Sequence, residues 1–147
     1  MRKSIVVLFV IITLLLQGCD FNASLRNDML EYYSDNDVYV ELRATVQAVR
    51  YNDDTENTEI DVVLLTGIEE FRLSIVDGVS TFQIARFGYE ETRISVGDEI
   101  QFISAPFYFY NGHDLPIMEL RQDGENLLEF EEGKSNYIAW INEEFAP

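Results

Sequence analysis

Between Val38 and Arg50 the chain alternates with a period of two. Val38, Val40, Leu42, Ala44, Val46 and Ala48 fall on one side, and Glu41, Arg43, Thr45 and Gln47 on the other. Successive side chains of an extended strand point to opposite faces, so this run is a half-buried β-strand rather than a helix. Thirteen residues is long for one strand, which predicts a bulge or bend near Ala44.

An acid-rich loop, Asn52 to Glu59, follows, and then the more uniformly apolar Ile60 to Leu65. Three dipeptides punctuate the rest: Asp77-Gly78, Asn111-Gly112 and Asp123-Gly124. Each suits a two-residue hairpin turn whose central residues both take positive φ. A turn at Asp77-Gly78 sets Leu73 opposite Phe82 and Phe71 opposite Ile84, and a turn at Asp123-Gly124 sets Leu120 opposite Leu127. The middle turn would join Ile100–Tyr110 to His113–Leu120. Pro106 and Pro116 interrupt those segments, which puts them at an edge, a bulge or an irregular arm. Gly97-Asp98 opens the strand Glu99 to Ser104.

Two stretches have helical rather than strand period. Leu25, Met29 and Tyr32/Tyr33 recur at helical spacing, and Ser34-Asp35-Asn36-Asp37 ends that helix with turn-forming side chains. Near the C-terminus Tyr137, Ile141 and Phe145 recur at i, i+4 and i+8, widened by Ile138 and Trp140. Ser135, just past Gly133, is the expected cap of a helix over Asn136 to Phe145, with a short strand through Tyr137 to Ile141 as the alternative. Five or six strands with hairpin turns in about 100 residues imply a small barrel or a two-sheet sandwich.

Ala44-Thr45-Val46-Gln47-Ala48-Val49 early, and Ile94-Ser95-Val96-Gly97-Asp98-Glu99-Ile100-Gln101-Phe102 late, resemble the first and fourth strands of an OB-fold. The expectation is therefore a mainly β chain: a small OB-like barrel or two-sheet β domain with a short N-terminal helix and a C-terminal helix. Gly97-Asp98, Phe109-Tyr110-Asn111-Gly112-His113, Leu115-Pro116-Ile117 and Asp123-Gly124 are also similar to a recurring tail of uncharacterised lipoproteins of Gram-positive bacteria.

The N-terminus carries an address. Arg2 and Lys3 precede the apolar run Ile5 to Leu16, broken only by Thr13. Twelve residues rise roughly 18 Å as a helix, short of the ~30 Å hydrocarbon core, so the run reads as a secretory signal and not a spanning helix. Leu16-Gln17-Gly18-Cys19 follows and contains the only cysteine. It resembles the lipobox of bacterial lipoproteins, although Gln17 departs from the usual small or apolar residue. The resemblance implies cleavage before Cys19, diacylglycerylation of its thiol and a lipid-anchored protein at the cell membrane, facing outside the cytoplasm. Two acyl chains anchor stably where one does so only marginally. The expected organisation is a signal over 1–18, a tether over 19–28 and one β-rich domain over 29–147.

Without the signal the chain holds 8 basic against 27 acidic residues, a formal charge of −19. That field repels phosphate backbones and argues against a nucleic-acid partner. It suits solubility, a basic partner or a cation.

Few groups here exchange protons near neutral pH. His113 is the only histidine, which excludes a metal site of several imidazoles, and an acylated Cys19 is no nucleophile. There is no nucleophile elbow, P-loop or GxGxxG, and no cofactor is implied. Asp53, Asp54, Glu56, Asn57 and Glu59 in one loop, and Asp35 with Asp37 in another, are the calcium candidates. Neither loop has the glycine turn or the full oxygen count such sites use.

Ala105-Pro106-Phe107-Tyr108-Phe109-Tyr110-Asn111-Gly112-His113 is unusually aromatic. As a strand it places Phe107 and Phe109 on one face and Tyr108 and Tyr110 on the other. That arrangement suits a core with half-exposed tyrosines first, and alternatively a stacking platform for a neutral glycan or protein partner. The binding residues expected on this basis are Phe107, Tyr108, Phe109, Tyr110 and His113. The function expected is that of a membrane-anchored, non-enzymatic binding module. A carboxylate-dependent cell-wall hydrolase and a structural or assembly lipoprotein are the alternatives.

Overall fold

A computed structural model describes residues 21–88, 93–106 and 115–146. Among these residues the chain is mainly β: a seven-stranded mixed sheet with one helix before it and one after it in sequence. Helix α1 covers residues 21–34. The strands are β1 (Val40–Asn52), β2 (Asn57–Leu64), β3 (Ser80–Ile84), β4 (Glu99–Ser104), β5 (Leu115–Pro116), β6 (Glu119–Gln122) and β7 (Glu125–Leu128). Helix α2 spans Phe130–Glu144. The strand order is β5-β3-β2-β1-β4-β6-β7.

Strand β1 is the alternating run, and both its edges are used. Its first half pairs antiparallel with β4, from Val40↔Ser104 to Thr45↔Glu99. Its second half pairs antiparallel with β2, from Ala44↔Leu64 to Asn52↔Asn57. Ala44 and Thr45 have ladder partners on both sides, and Val46, opposite Val62, also exchanges backbone hydrogen bonds with Asp98 and Gly97. The sheet thus divides into β5-β3-β2 and β4-β6-β7, two layers sharing one long strand. The order is open, ending in β5 and β7, so of the two expected architectures the two-sheet form describes the ladder. Leu115 to Gln122 ties the layers together, because β5 lies parallel to β3 while β6 lies antiparallel to β4. Between them Ile117 N–H donates to the Gln83 carbonyl and Met118 N–H to the Ile103 carbonyl, each at 2.8 Å.

The expected irregularity in β1 occurs at Gln47, where the register slips between Val46 and Ala48. A bulge inserts one residue and reverses the parity of the faces. Leu42, Ala44 and Val46 point inward, but beyond the bulge Val49, and not Ala48, packs on the core opposite Ile60. The strictly alternating pattern would have turned Arg50 inward. The bulge turns it out.

Other expectations need correction. The turn at Asp77-Gly78 forms, with φ of 51° and 83°, and Val76 and Val79 exchange both backbone hydrogen bonds. No hairpin extends from it. Residues Arg72–Ser74 make a 3-10 turn, Leu73 is exposed, and it does not face Phe82. The reason is competition: β3 is already paired to β2 on one edge and to Leu115–Pro116 on the other. At Asp123-Gly124 the hairpin forms, but a slip between Leu120 and Arg121 pairs Leu120 with Leu128 instead of Leu127. Leu128 is then the residue buried in the core. Residues 21–28, expected within a tether, enter the body as helix, and Leu25 is buried.

Helix α2 begins six residues earlier than a Ser135 cap predicts, with Glu129 at its N-cap. Gly133 lies inside it, read from sequence as a boundary but serving as a contact. A Cβ built there would lie 2.1 Å from the Met118 carbonyl oxygen, so the helix sits directly on the segment joining the two layers.

Two apolar clusters result. The larger fills the space between the layers with Leu42, Val46, Ile60, Phe71, Phe82, Ile100 and Phe102 among others; the Phe82 and Phe102 rings meet at 4.8 Å. The second joins the helices to the outside of the sheet through Leu25, Met29 and Tyr33 of α1 and Tyr137, Trp140 and Ile141 of α2, against Ala85, Ala105 and Met118. The Tyr33 and Tyr137 rings meet edge-on at 5.0 Å, and Tyr137 stacks on Trp140 at 5.3 Å. Burial raises the Tyr33 hydroxyl well above the ordinary tyrosine range, so it stays neutral.

Gly→Ala in a helix interior ordinarily stabilises by about 1 kcal/mol. At Gly133 we expect the opposite sign, a loss of about 1–3 kcal/mol from overpacking against Met118. Chemical denaturation of Gly133→Ala measures it; an unchanged or raised midpoint would refute the contact.

Candidate functional site

The outer face of β1, β2 and β3 carries a polar cluster bonded across all three strands. The reversed parity beyond Gln47 puts Arg50 on that face, where hairpin register sets it against Glu59 with Asp61 one step along. Arg50 grips Asp61 with two parallel bonds, Nη1 to Oδ2 at 2.5 Å and Nη2 to Oδ1 at 2.8 Å, the fork geometry that makes arginine–carboxylate pairs specific. Glu59 Oε2 lies 3.4 Å from Nε and Nη2 of the same guanidinium. From β3 the Thr81 hydroxyl donates to Asp61 Oδ1 at 2.8 Å.

A second network lies one register step away. Buried Asn57 donates through Nδ2 to Gln83 Oε1 at 3.2 Å, and its Oδ1 accepts from the Arg86 backbone N–H at 3.1 Å. Thr58 Oγ1 donates to the Phe87 carbonyl at 2.6 Å. These bonds fix the chain leaving β3 against the start of β2. Arg86 continues to α2, pairing with Glu143.

The turn joining β1 and β2 is built by Asn52, whose Oδ1 accepts from the N–H groups of Asp54 and Thr55 at 3.0 and 3.3 Å. Glu56 takes the left-handed position, with φ 55°. Above it Arg50, Tyr51, Asn52, Asp53, Asp54 and Glu59 line an open depression of about 380 Å³.

Electrostatics define what this surface can do. The Arg50 hydrogen bonds hold the Asp61 carboxyl below the usual carboxylate range, against partial burial and with help from Thr81. Arg50 in turn is held above its ordinary value, chiefly by its hydrogen bonds to Asp61. A carboxylate kept charged by a bidentate guanidinium is a poor proton donor near neutrality.

The calcium candidates are divided by the fold. Asn57 spends both polar atoms on Gln83 and Arg86, and Glu59 pairs with Arg50. Asp53 and Asp54 border the depression beside that guanidinium. Asp35 Oδ1 accepts from the Asp37 N–H at 2.9 Å and caps the 3-10 turn before β1. Among the described residues no three His, Cys, Asp or Glu side chains gather as a cation site would require. Cys19 and the binding candidates Phe107, Tyr108, Phe109, Tyr110 and His113 lie outside the described residues. The Arg50–Asp61–Thr81 cluster was missed because Asn52 to Glu59 read as loop; as a hairpin turn it would have set Arg50 beside Glu59.

Among the described residues no helix is long and apolar enough to cross a membrane. No protein-family model matches the chain, and no curated protein matches it.

Asp61→Asn is expected to lower the unfolding free energy by about 1 kcal/mol near neutral pH, since the pair is partly exposed. A depressed folded-state pKa contributes stability above the unfolded carboxylate value, about 3.9, and loses it as pH falls through the folded value. The difference between parent and variant should therefore shrink on acidification below about pH 4. Urea unfolding at several pH values tests this, and a pH-independent difference would contradict it.

Proposed function

We propose that the chain is a lipid-anchored extracytoplasmic binding module, acylated at Cys19, that presents its β domain to a protein or glycan partner at the cell surface. The observation that supports this most is the position of α1. The helix is already formed at residue 21 and is packed into the body through Leu25, Met29 and Tyr33. Two peptide steps from Cys19 span at most about 7 Å. An acyl group on Cys19 would hold the folded domain itself close to the bilayer, with no long tether between them.

The surface described above fits binding better than proton-transfer chemistry, because its ordered carboxylate is charge-paired. The aromatic residues Phe107, Tyr108, Phe109 and Tyr110, with His113, stay the contact proposed on sequence grounds for a neutral glycan or a protein.

Cys19→Ser tests the anchor. The variant should leave the membrane fraction or accumulate unprocessed, and should lose metabolic incorporation of labelled fatty acid. Lipid labelling equal to that of the parent would end this reading.

A further inference from the structure

The connection between β2 and β3, residues 65–79, combines a fixed backbone with exposed apolar side chains. It is pinned from beneath. Gly67, at φ +66°, lies so close to Leu42 that a Cβ would be 2.0 Å from Leu42 Cδ2. Phe71 is fully buried, and its ring packs 5.6 Å from Phe82. The Ser74 hydroxyl donates to the Phe71 carbonyl at 2.7 Å and lies 3.2 Å from the Ser80 hydroxyl. The hydrogen-bonded Val76–Val79 turn closes the connection. Held in that frame, Leu65, Ile68, Leu73 and Val76 stay 44, 47, 70 and 64% exposed.

Isolated surface leucines are ordinary, but several large apolar groups on one fixed connection mark a contact surface. Four of the eight strongly exposed large hydrophobics among the described residues fall in these fifteen positions, and Val63 precedes them. Their own buried neighbours hold them out, so they are not a core facing the wrong way. The charge of the connection is net acidic: Glu69, Glu70 and Asp77 are exposed there against Arg72. The whole chain carries −17. A connection whose exposed side chains are apolar and net acidic complements a partner segment that is apolar and basic. The same acidic groups repel anionic lipid heads, which disfavours insertion of this connection into a membrane.

We infer that residues 65–79 form a docking surface for a basic amphipathic protein segment, with Leu73 and Val76 as its apolar contacts and Glu69 and Glu70 as its charge contacts. This goes beyond the contact proposed at Phe107 to His113 and is independent of the anchor. The connection leaves the end of β2 opposite to the β1–β2 turn.

The test uses the full-length chain in phosphatidylcholine nanodiscs, titrated with a fluorescent peptide of leucine and lysine at helical spacing and with its leucine and glutamate counterpart. The lysine peptide should bind and the glutamate peptide should not. Leu73→Ser with Val76→Ser should weaken binding roughly tenfold, as loss of central apolar contacts does. Glu69→Gln with Glu70→Gln should weaken it and reduce its salt dependence. All four positions are exposed, so circular dichroism should report an unchanged fold. Equal affinity of parent and variants, or equal binding of both peptides, would overturn the inference. So would quenching of Leu73→Trp emission by brominated lipid without peptide, which would give the connection to the bilayer. Failure of Cys19→Ser to release the protein would leave this result unaffected, because docking needs no acylation.

Discussion

The double pairing of β1 is the constraint on which the rest of the molecule depends. Its N-terminal half belongs to the β4-β6-β7 layer and its C-terminal half to β5-β3-β2, with Arg43 to Val46 bonded on both sides. A straight strand would place every partner in one flat sheet. The slip at Gln47 bends β1 and increases its local twist, so the layers face each other across Leu42, Val46, Ile60 and Phe102. Burial of that apolar surface is the dominant stabilising term, and it exists only because the strand turns the corner.

One residue of slippage also creates the polar face. Had the alternation continued past Gln47, Arg50 would have pointed into the core, where an unpaired guanidinium costs several kcal/mol. Instead it meets Asp61 and Thr81 outside. The segment Leu115–Gln122 performs a comparable double duty. It presents Ile117 to the interior and Met118 to the helices, and its Met118 carbonyl receives Gly133 of α2 at a separation no side chain tolerates. Layer, linker and helix are thus coupled through single-atom contacts.

The surface is organised in the same way. The β2–β3 connection is held by buried Phe71, Ser74 and the Gly67 contact, which fixes the exposed positions of Leu73 and Val76. Phe71 and Leu73 read from sequence as neighbours on one strand face, both apolar and two apart. One became core and the other surface once β3 had taken its partners elsewhere.

Local pattern by itself determined a good deal: the period-two run that became β1, the positive-φ turns at Asp77-Gly78 and Asp123-Gly124, the Gly97-Asp98 start of β4, and the helical stripe of Tyr137, Trp140 and Ile141. These follow from backbone sterics and side-chain periodicity within a few residues. Four outcomes were decided only by tertiary structure: the parallel pairing of Leu115–Pro116 with β3, Leu128 replacing Leu127 in the core, the early start of α2 and the outward turn of Arg50. Each depends on which distant strand occupies an edge, or on how closely two backbones approach. Hydrogen-bonding edges are filled once, by whichever partner also buries the most apolar surface, and local pattern carries no record of that competition.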